Sequence, residues 1–132
     1  MTRRPLHELG ELQRAVMELL WERGEATVHD LRDALAATGR DPAYTTVLSV
    51  LQKLERAGWV GHRKEGRTYV YSAESSRAEE GTSSLGKFID RVFRGDPKLL
   101  FQHLLEDDRL GSEDLEQLRR MIDDRRDEEA QL

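Results

Sequence analysis

The sequence predicts a mainly α protein: a winged helix-turn-helix (three helices plus a β-hairpin wing) followed by a C-terminal helical dimerisation domain. Three observations carry this. Leu and Val recur at three- and four-residue steps through three segments that end near residue 57. The pattern then changes to two short strand-like runs around a Glu-Gly pair. After residue 73, apolar stripes return in segments too short to cover one another. The boundary is accordingly placed between a domain of residues 1–73 and one of residues 74–132.

The first segment carries Leu9, Leu12, Val16, Leu19 and Leu20, with Met17 and Trp21 widening the same face, and predicts a helix from about Glu8 to Arg23. Gly24 stands where a helix C-terminal glycine belongs. Thr27-Val28-His29-Asp30 is a variant capping box in which Thr27 accepts from the Asp30 N–H and the carboxylate reaches back. Val28, Leu31 and Leu35 line the short helix that follows, which ends near Ala37. Asp41-Pro42 reads as a second start, with Asp as N-cap and Pro at the first helical position. From Ala43 to about Ala57, Val47, Val50, Leu51 and Leu54 form the buried stripe. The opposite face presents Thr45, Thr46, Ser49, Gln52, Lys53 and Arg56, and Gly58 closes the helix.

Val60–Lys64 and Arg67–Ser72 are strand-like, and Glu65-Gly66 is expected as the two-residue turn. Thr68 and Val70 fall on one face, Tyr69 and Tyr71 on the other. Arg63, Lys64 and Arg67 crowd the tip.

Composition bounds what such a chain can do. Of 132 residues, 37% are hydrophobic and 36% charged, with mean hydropathy −0.72. No apolar run approaches the ~20 residues of a membrane span. The opening MTRRPLHELGEL lacks the apolar core of a secretory signal, and there is no cysteine, so a cytoplasmic location is expected. The net charge of −5 counts against nucleic acid until its distribution is seen. Residues 1–72 hold 11 Lys/Arg against 10 Asp/Glu, and residues 73–132 hold 10 against 16. A mildly basic head is joined to an acidic tail.

A helix fits the major groove of B-DNA, about 12 Å wide, and its N-terminal side chains reach base edges. Thr45, Thr46 and Ser49 are short enough for close approach, to bases or phosphates. Tyr44 either contacts phosphate or packs in the turn, Lys53 follows on the same face, and Arg63, Lys64 and Arg67 suit neighbouring phosphates. The alternative for each is a solvated polar face. Tyr69 and Tyr71 are expected as half-buried strand residues rather than stacking platforms.

The segments LQRAVMELLWERGEATVHDL, DPAYTTVLSVLQKLERAGWV and HRKEGRTYVYSA resemble the corresponding parts of the penicillinase repressor (BlaI/MecI/CopY) family of bacterial winged-helix regulators. AYTTV, VLQKLERAGWV and KEGRTYVYS are the most specific pieces, and the resemblance runs in order over roughly residues 6–125. It implies a homodimeric repressor on a palindromic operator, with the helix around Ala43–Ala57 in the major groove of double-stranded DNA. Copper-responsive relatives carry a cysteine-rich C-terminal motif that this chain lacks. In antibiotic-responsive relatives a membrane metalloprotease sensor triggers cleavage at an Asn-Phe bond in the tail. The comparable stretch, Gln102-His103-Leu104, has no such bond. That route of release is therefore not carried over, and a small-molecule inducer or a different protease stands open.

In the tail, Leu85, Phe88, Ile89, Val92 and Phe93 form a stripe, and Gly95-Asp96-Pro97 breaks and restarts the chain. Leu99, Leu100, Phe101, Leu104 and Leu105 dominate the next helix, and Leu115, Leu118 and Ile122 the one begun at Gly111-Ser112. The closing DDRRDEEAQL is expected to fray. Three such helices cannot cover one another's apolar faces, and a second copy is the economical partner. The expected dimer interface is Leu85, Phe88, Ile89, Val92, Leu100, Phe101, Leu104, Leu118 and Ile122.

No two of His7, His29, His62 and His103 are three or four residues apart, so no helical metal pair exists, and no metal or other cofactor is expected. No nucleophile sits in a recognisable elbow and no glycine-rich phosphate loop occurs, which argues against an enzyme. The rival to a repressor is an interaction adaptor that uses the winged helix as scaffold and the acidic tail as docking surface.

Overall fold

The computed structural model describes residues 4–131. Its elements run in the order of a 3-10 turn Leu6–Glu8, α1 Glu11–Arg23, β1 Glu25–Thr27, α2 Val28–Ala37, α3 Tyr44–Arg56, β2 Val60–Glu65, β3 Thr68–Ala73, α4 Arg77–Val92, α5 Pro97–Glu106 and α6 Ser112–Ala130. The chain separates into two compact units that part between Phe88 and Ile89.

In the first unit, three helices pack on a three-stranded antiparallel sheet of order β1-β3-β2, the winged-helix arrangement. Val16, Met17 and Leu20 of α1 meet Leu31 and Leu35 of α2 and Val47, Leu51 and Leu54 of α3 in one core closed by Trp59, Val60 and Tyr71. The helix residues among these are ones that the helical periodicity selects; Val50, expected in the same buried stripe of α3, is only half-buried at its edge. Trp21 packs edge-on to Trp59 and donates its indole N–H to the Ser75 carbonyl at 2.8 Å. α4 belongs to the same unit as far as Phe88, and the Leu6 N–H donates to a buried Ser84 hydroxyl at 2.8 Å.

Four local expectations change. α1 starts at Glu11, because Leu6–Glu8 forms a separate tight turn, and the Gln13 side chain accepts from the Gly10 N–H at 3.1 Å. α3 starts at Tyr44, so Asp41 is not its cap nor Pro42 its first residue. Residues 41–43 instead carry the connection from α2, and the extended Ala43 offers its carbonyl to the N–H groups of Thr46 and Val47. The hairpin turn is Gly66-Arg67, not Glu65-Gly66, because Glu65 pairs with Thr68. Glu at the first central position of a type I′ turn would need positive φ; one residue later only Gly66 takes it, at 63°. Finally, β1 has no counterpart in the sequence reading, since three residues are too few to show alternation.

The capping box at Thr27 forms as the spacing predicts: Asp30 N–H to Thr27 Oγ1 at 3.1 Å and Thr27 N–H to Asp30 Oδ2 at 3.0 Å. At the far end of α3, Gly58 takes φ 86° and lets the Trp59 N–H return to the Leu54 carbonyl, which turns the chain into the wing.

In the second unit, Asp96 caps α5 through the Lys98 N–H at 3.0 Å, with Pro97 in the first turn as expected. The Phe93 ring lies 5.2 Å from His103. α6 continues to Ala130, so the charged end does not fray; an Arg125–Glu129 pair at 3.3 Å supports it. Neither α5 nor α6 buries a residue.

Candidate nucleic-acid interface

The buried stripe of α3 fixes which face points out. With Val47, Leu51 and Leu54 in the core, Tyr44, Thr45, Thr46, Ser49, Gln52, Lys53 and Arg56 are left exposed. Tyr44 and Thr45 stand in the first turn, where backbone N–H groups have no intrahelical acceptor. The Tyr44 ring leans on His29, at 4.8 Å, so this side chain bridges the start of α3 to the start of α2.

Between α3 and the wing lies a cleft of about 810 Å³. Tyr44, Gln52, Glu55 and Arg56 line it from α3, and His62, Arg67, Tyr69 and Tyr71 from the hairpin. The pairing His62↔Tyr71 and Lys64↔Tyr69 sets these four on one face of the sheet. Tyr71 is buried, and burial pushes its phenol pKa up, with the nearby Glu55 adding to this; Tyr69 stays 46% exposed. The expectation of two half-buried tyrosines thus divides into one buried and one open.

The wing cations are not equivalent. Arg63 belongs to the opposite face of the sheet, where its guanidinium bonds both carboxylate oxygens of Glu25 at 2.5 and 3.2 Å and Glu65 at 2.8 Å. Hydrogen bonding to Arg63 holds the Glu25 carboxyl below the usual carboxylate range, and the same bonds push Arg63 further up. Arg40 is likewise paired, with Glu11 at 2.7 Å. Among the described residues, Lys53, Arg56, Lys64 and Arg67 form no ion pair. Together with the α3 hydroxyls they are the charges and donors that the geometry leaves open to a polyanion.

Sequence reasoning missed two links. One is the Arg63–Glu25 bond, which needed β1 to be seen. The other joins helix to wing: His62 Nδ1 lies 2.6 Å from Glu55 Oε1. The signal for it was the seven-residue spacing across the Gly58 turn.

Of the expected interface residues of the tail, Leu85, Val92, Phe101 and Ile122 are exposed by 47, 55, 48 and 52%. Phe88, Ile89, Leu100, Leu104 and Leu118 are half-buried. Leu105 and Met121, not singled out as interface residues, are exposed further, by 63 and 64%. Among the described residues no helix is long and apolar enough to cross a membrane.

A family model described as "Penicillinase repressor" matches residues 9–124. The chain belongs to the penicillinase repressor family. It is 35% identical over 122 residues to "Transcriptional regulator BlaI" of Mycobacterium tuberculosis, covering 89% of this chain and 84% of that protein. It is 22% identical over 118 residues to "Penicillinase repressor" of Bacillus licheniformis, covering 89% and 91%. Among solved structures, "The complex structure of hsRosR-S4" covers 96% of each chain with TM-score 0.53 at 15% identity, a likeness of fold alone. A solution structure of the DNA-binding domain of the repressor BlaI covers 58% of this chain and 92% of that one, with TM-score 0.49 at 21% identity.

Proposed function

We propose that this protein is a DNA-binding transcriptional repressor that acts as a homodimer on a palindromic operator and blocks transcription until a signal releases it. The observation that carries the reading is the geometry of the first unit. The Thr/Ser-rich start of α3 is turned outward, and unpaired cations on α3 and the wing flank the cleft between them. Membership of a family whose relatives are named repressors and transcriptional regulators supports it.

In this reading α3 enters the major groove. Thr45, Thr46 and Ser49 reach base edges or the nearest phosphates, Tyr44 and Lys53 contact the backbone, and Lys64 and Arg67 grip phosphates beyond the groove. Arg63 shapes the wing instead of touching DNA, because Glu25 and Glu65 hold its Nη1 and Nη2 groups on the opposite face of the sheet. Residues 1–73 are the reading head and residues 74–132 the dimerisation domain. Apolar side chains left open on the tail support a second copy as its partner, since covering one Leu, Phe or Ile stabilises by about 1.5–3 kcal/mol. The protein works in the cytoplasm and carries out no chemical step. Release enters through the tail, by a small-molecule inducer or a protease under a membrane sensor.

The test is selection of bound duplexes from random-sequence DNA. The reading expects enrichment of one motif arranged as an inverted repeat. An adaptor that uses the fold only as scaffold would enrich nothing.

A further inference from the structure

The cleft between α3 and the wing holds one pair that the reading above does not use. His62 projects from β2 and Glu55 from α3; their Nδ1 and Oε1 are 2.6 Å apart, and each side chain is 36% exposed. The imidazole is steadied on its other sides by the rings of Tyr69, at 4.9 Å, and Tyr71, at 5.4 Å. Among the described residues nothing bonds to its Nε2. Gln52, Arg56 and Arg67 line the same cleft.

We propose that His62 is a ligand of the DNA backbone in this cleft and that Glu55 positions it, so that docking of a duplex takes up a proton on the imidazole. The inference rests on the DNA-binding reading above. A carboxylate accepts only, so Nδ1 must carry the proton facing Glu55, and in the neutral ring Nε2 is then a bare lone pair. Such a nitrogen repels a phosphate oxygen. When the ring gains a proton from solvent, Nε2–H becomes a donor, while Nδ1–H keeps its bond to Glu55. The cation then lies between two anions, carboxylate on one side and phosphate on the other, and both favour the charged form. Without the pairing, Glu55 would present an uncompensated negative charge to the DNA.

The groups around His62 set the sign. Glu55 on α3 favours the proton; Arg56 on α3, Lys64 on β2, Arg67 in the hairpin turn and His29 on α2 oppose it when charged. Tyr44, Tyr69 and Tyr71 complete the lining, and burial keeps the Tyr71 phenol neutral through this range. The incoming phosphate is the new partner, and it tips the balance toward protonation. Affinity for DNA therefore rises as pH falls and the bound phosphate draws a proton onto the ring.

The experiment measures Kd for a duplex recovered by selection, from pH 5.5 to 8.5 at fixed ionic strength, with the full chain and His62→Gln, Glu55→Gln and His7→Gln. Each unit by which binding raises the imidazole pKa is about tenfold in affinity. The expected result is an affinity gain of about five- to tenfold per chain between pH 8 and 6. His62→Gln should flatten the profile, His7→Gln should leave it unchanged, and Glu55→Gln should move its midpoint to lower pH. The His62 ring resonance followed by NMR should titrate at higher pH in the complex than in the free chain. Wild-type binding with a parallel His62→Gln profile overturns the inference alone. A wild-type chain that binds no duplex overturns the DNA-binding reading as well.

Discussion

Arg63 and Glu25 face each other across the central strand of the sheet, joined by two hydrogen bonds of 2.5 and 3.2 Å. One residue comes from the wing and the other from the short strand that leads into α2. The bond ties the wing to the body of the head. In the proposed reading, this pairing leaves Lys64 and Arg67 as the wing's cations free for phosphate.

Arg63→Ala and Arg67→Ala should therefore differ in kind. Arg67→Ala should weaken binding to all duplexes and lower the slope of log K against log salt by about 1. Arg63→Ala should leave that slope unchanged, because no phosphate is lost, while hydrogen exchange of the β2 and β3 amides speeds up. Equal slopes for the two variants would contradict the division of roles.

Thr46→Ala should act on sequence preference. Its side chain is exposed in the first turn of α3, where a base contact is worth about 1–3 kcal/mol of discrimination. Selection repeated with the variant should give a motif degenerate at one position in each half-site.

Stability should depend on the start of α2. Thr27→Ala removes the hydroxyl that accepts from the Asp30 N–H, a change worth about 0.5–2 kcal/mol in helix caps. The Asp30 carboxyl is held below the usual carboxylate range, chiefly by the Thr27 backbone N–H. A depressed carboxyl stabilises the fold above its unfolded-state value and stops doing so as pH falls through the folded one. The contribution of Asp30 is thus complete at neutral pH and lost only below about pH 4. Chemical denaturation of wild type and Asp30→Asn at pH 7 and pH 3 should show the difference between them shrinking at the lower pH.

Phe101→Asp places a charge on the open apolar face of α5. It should shift the mass measured by sedimentation from dimer to monomer and lower operator affinity, while the near-ultraviolet signal of Trp21 and Trp59 in the head is retained. A variant that sediments as wild type would contradict the tail assignment.

How much of this was legible beforehand follows from the range of each interaction. The core of the head could be read directly: Val16, Leu20, Leu31, Leu35, Val47, Leu51 and Leu54 repeat at helical spacing, and all are buried. The Thr27–Asp30 box and the Asp96-Pro97 restart were equally visible, because cap and partner lie two or three residues apart. The site was legible only by face. The periodicity of α3 shows that Thr45, Thr46, Ser49 and Lys53 point outward. It cannot show that Arg63 is bound to a residue 38 positions away. Nor could it separate Tyr69 from Tyr71, whose alternation is the same and whose burial differs through packing at the core end of β3. The turn slipped by one residue because Gly66 fits either register, and strand pairing with Thr68 decides between them.

The central claim is that the outward face of α3 and the wing grip duplex DNA. Its most direct test is the salt dependence of binding to a selected duplex, set beside a scrambled duplex of the same length. On α3 and the wing, Lys53, Arg56, Lys64 and Arg67 form no ion pair among the described residues; at about −0.9 per phosphate they predict a slope of log K against log salt near −3 to −4 per chain. The selected duplex should bind at least a thousandfold more tightly than the scrambled one, in the ~10³–10⁷ range of specific recognition. A slope near zero, or equal affinity for the two duplexes, would contradict the account.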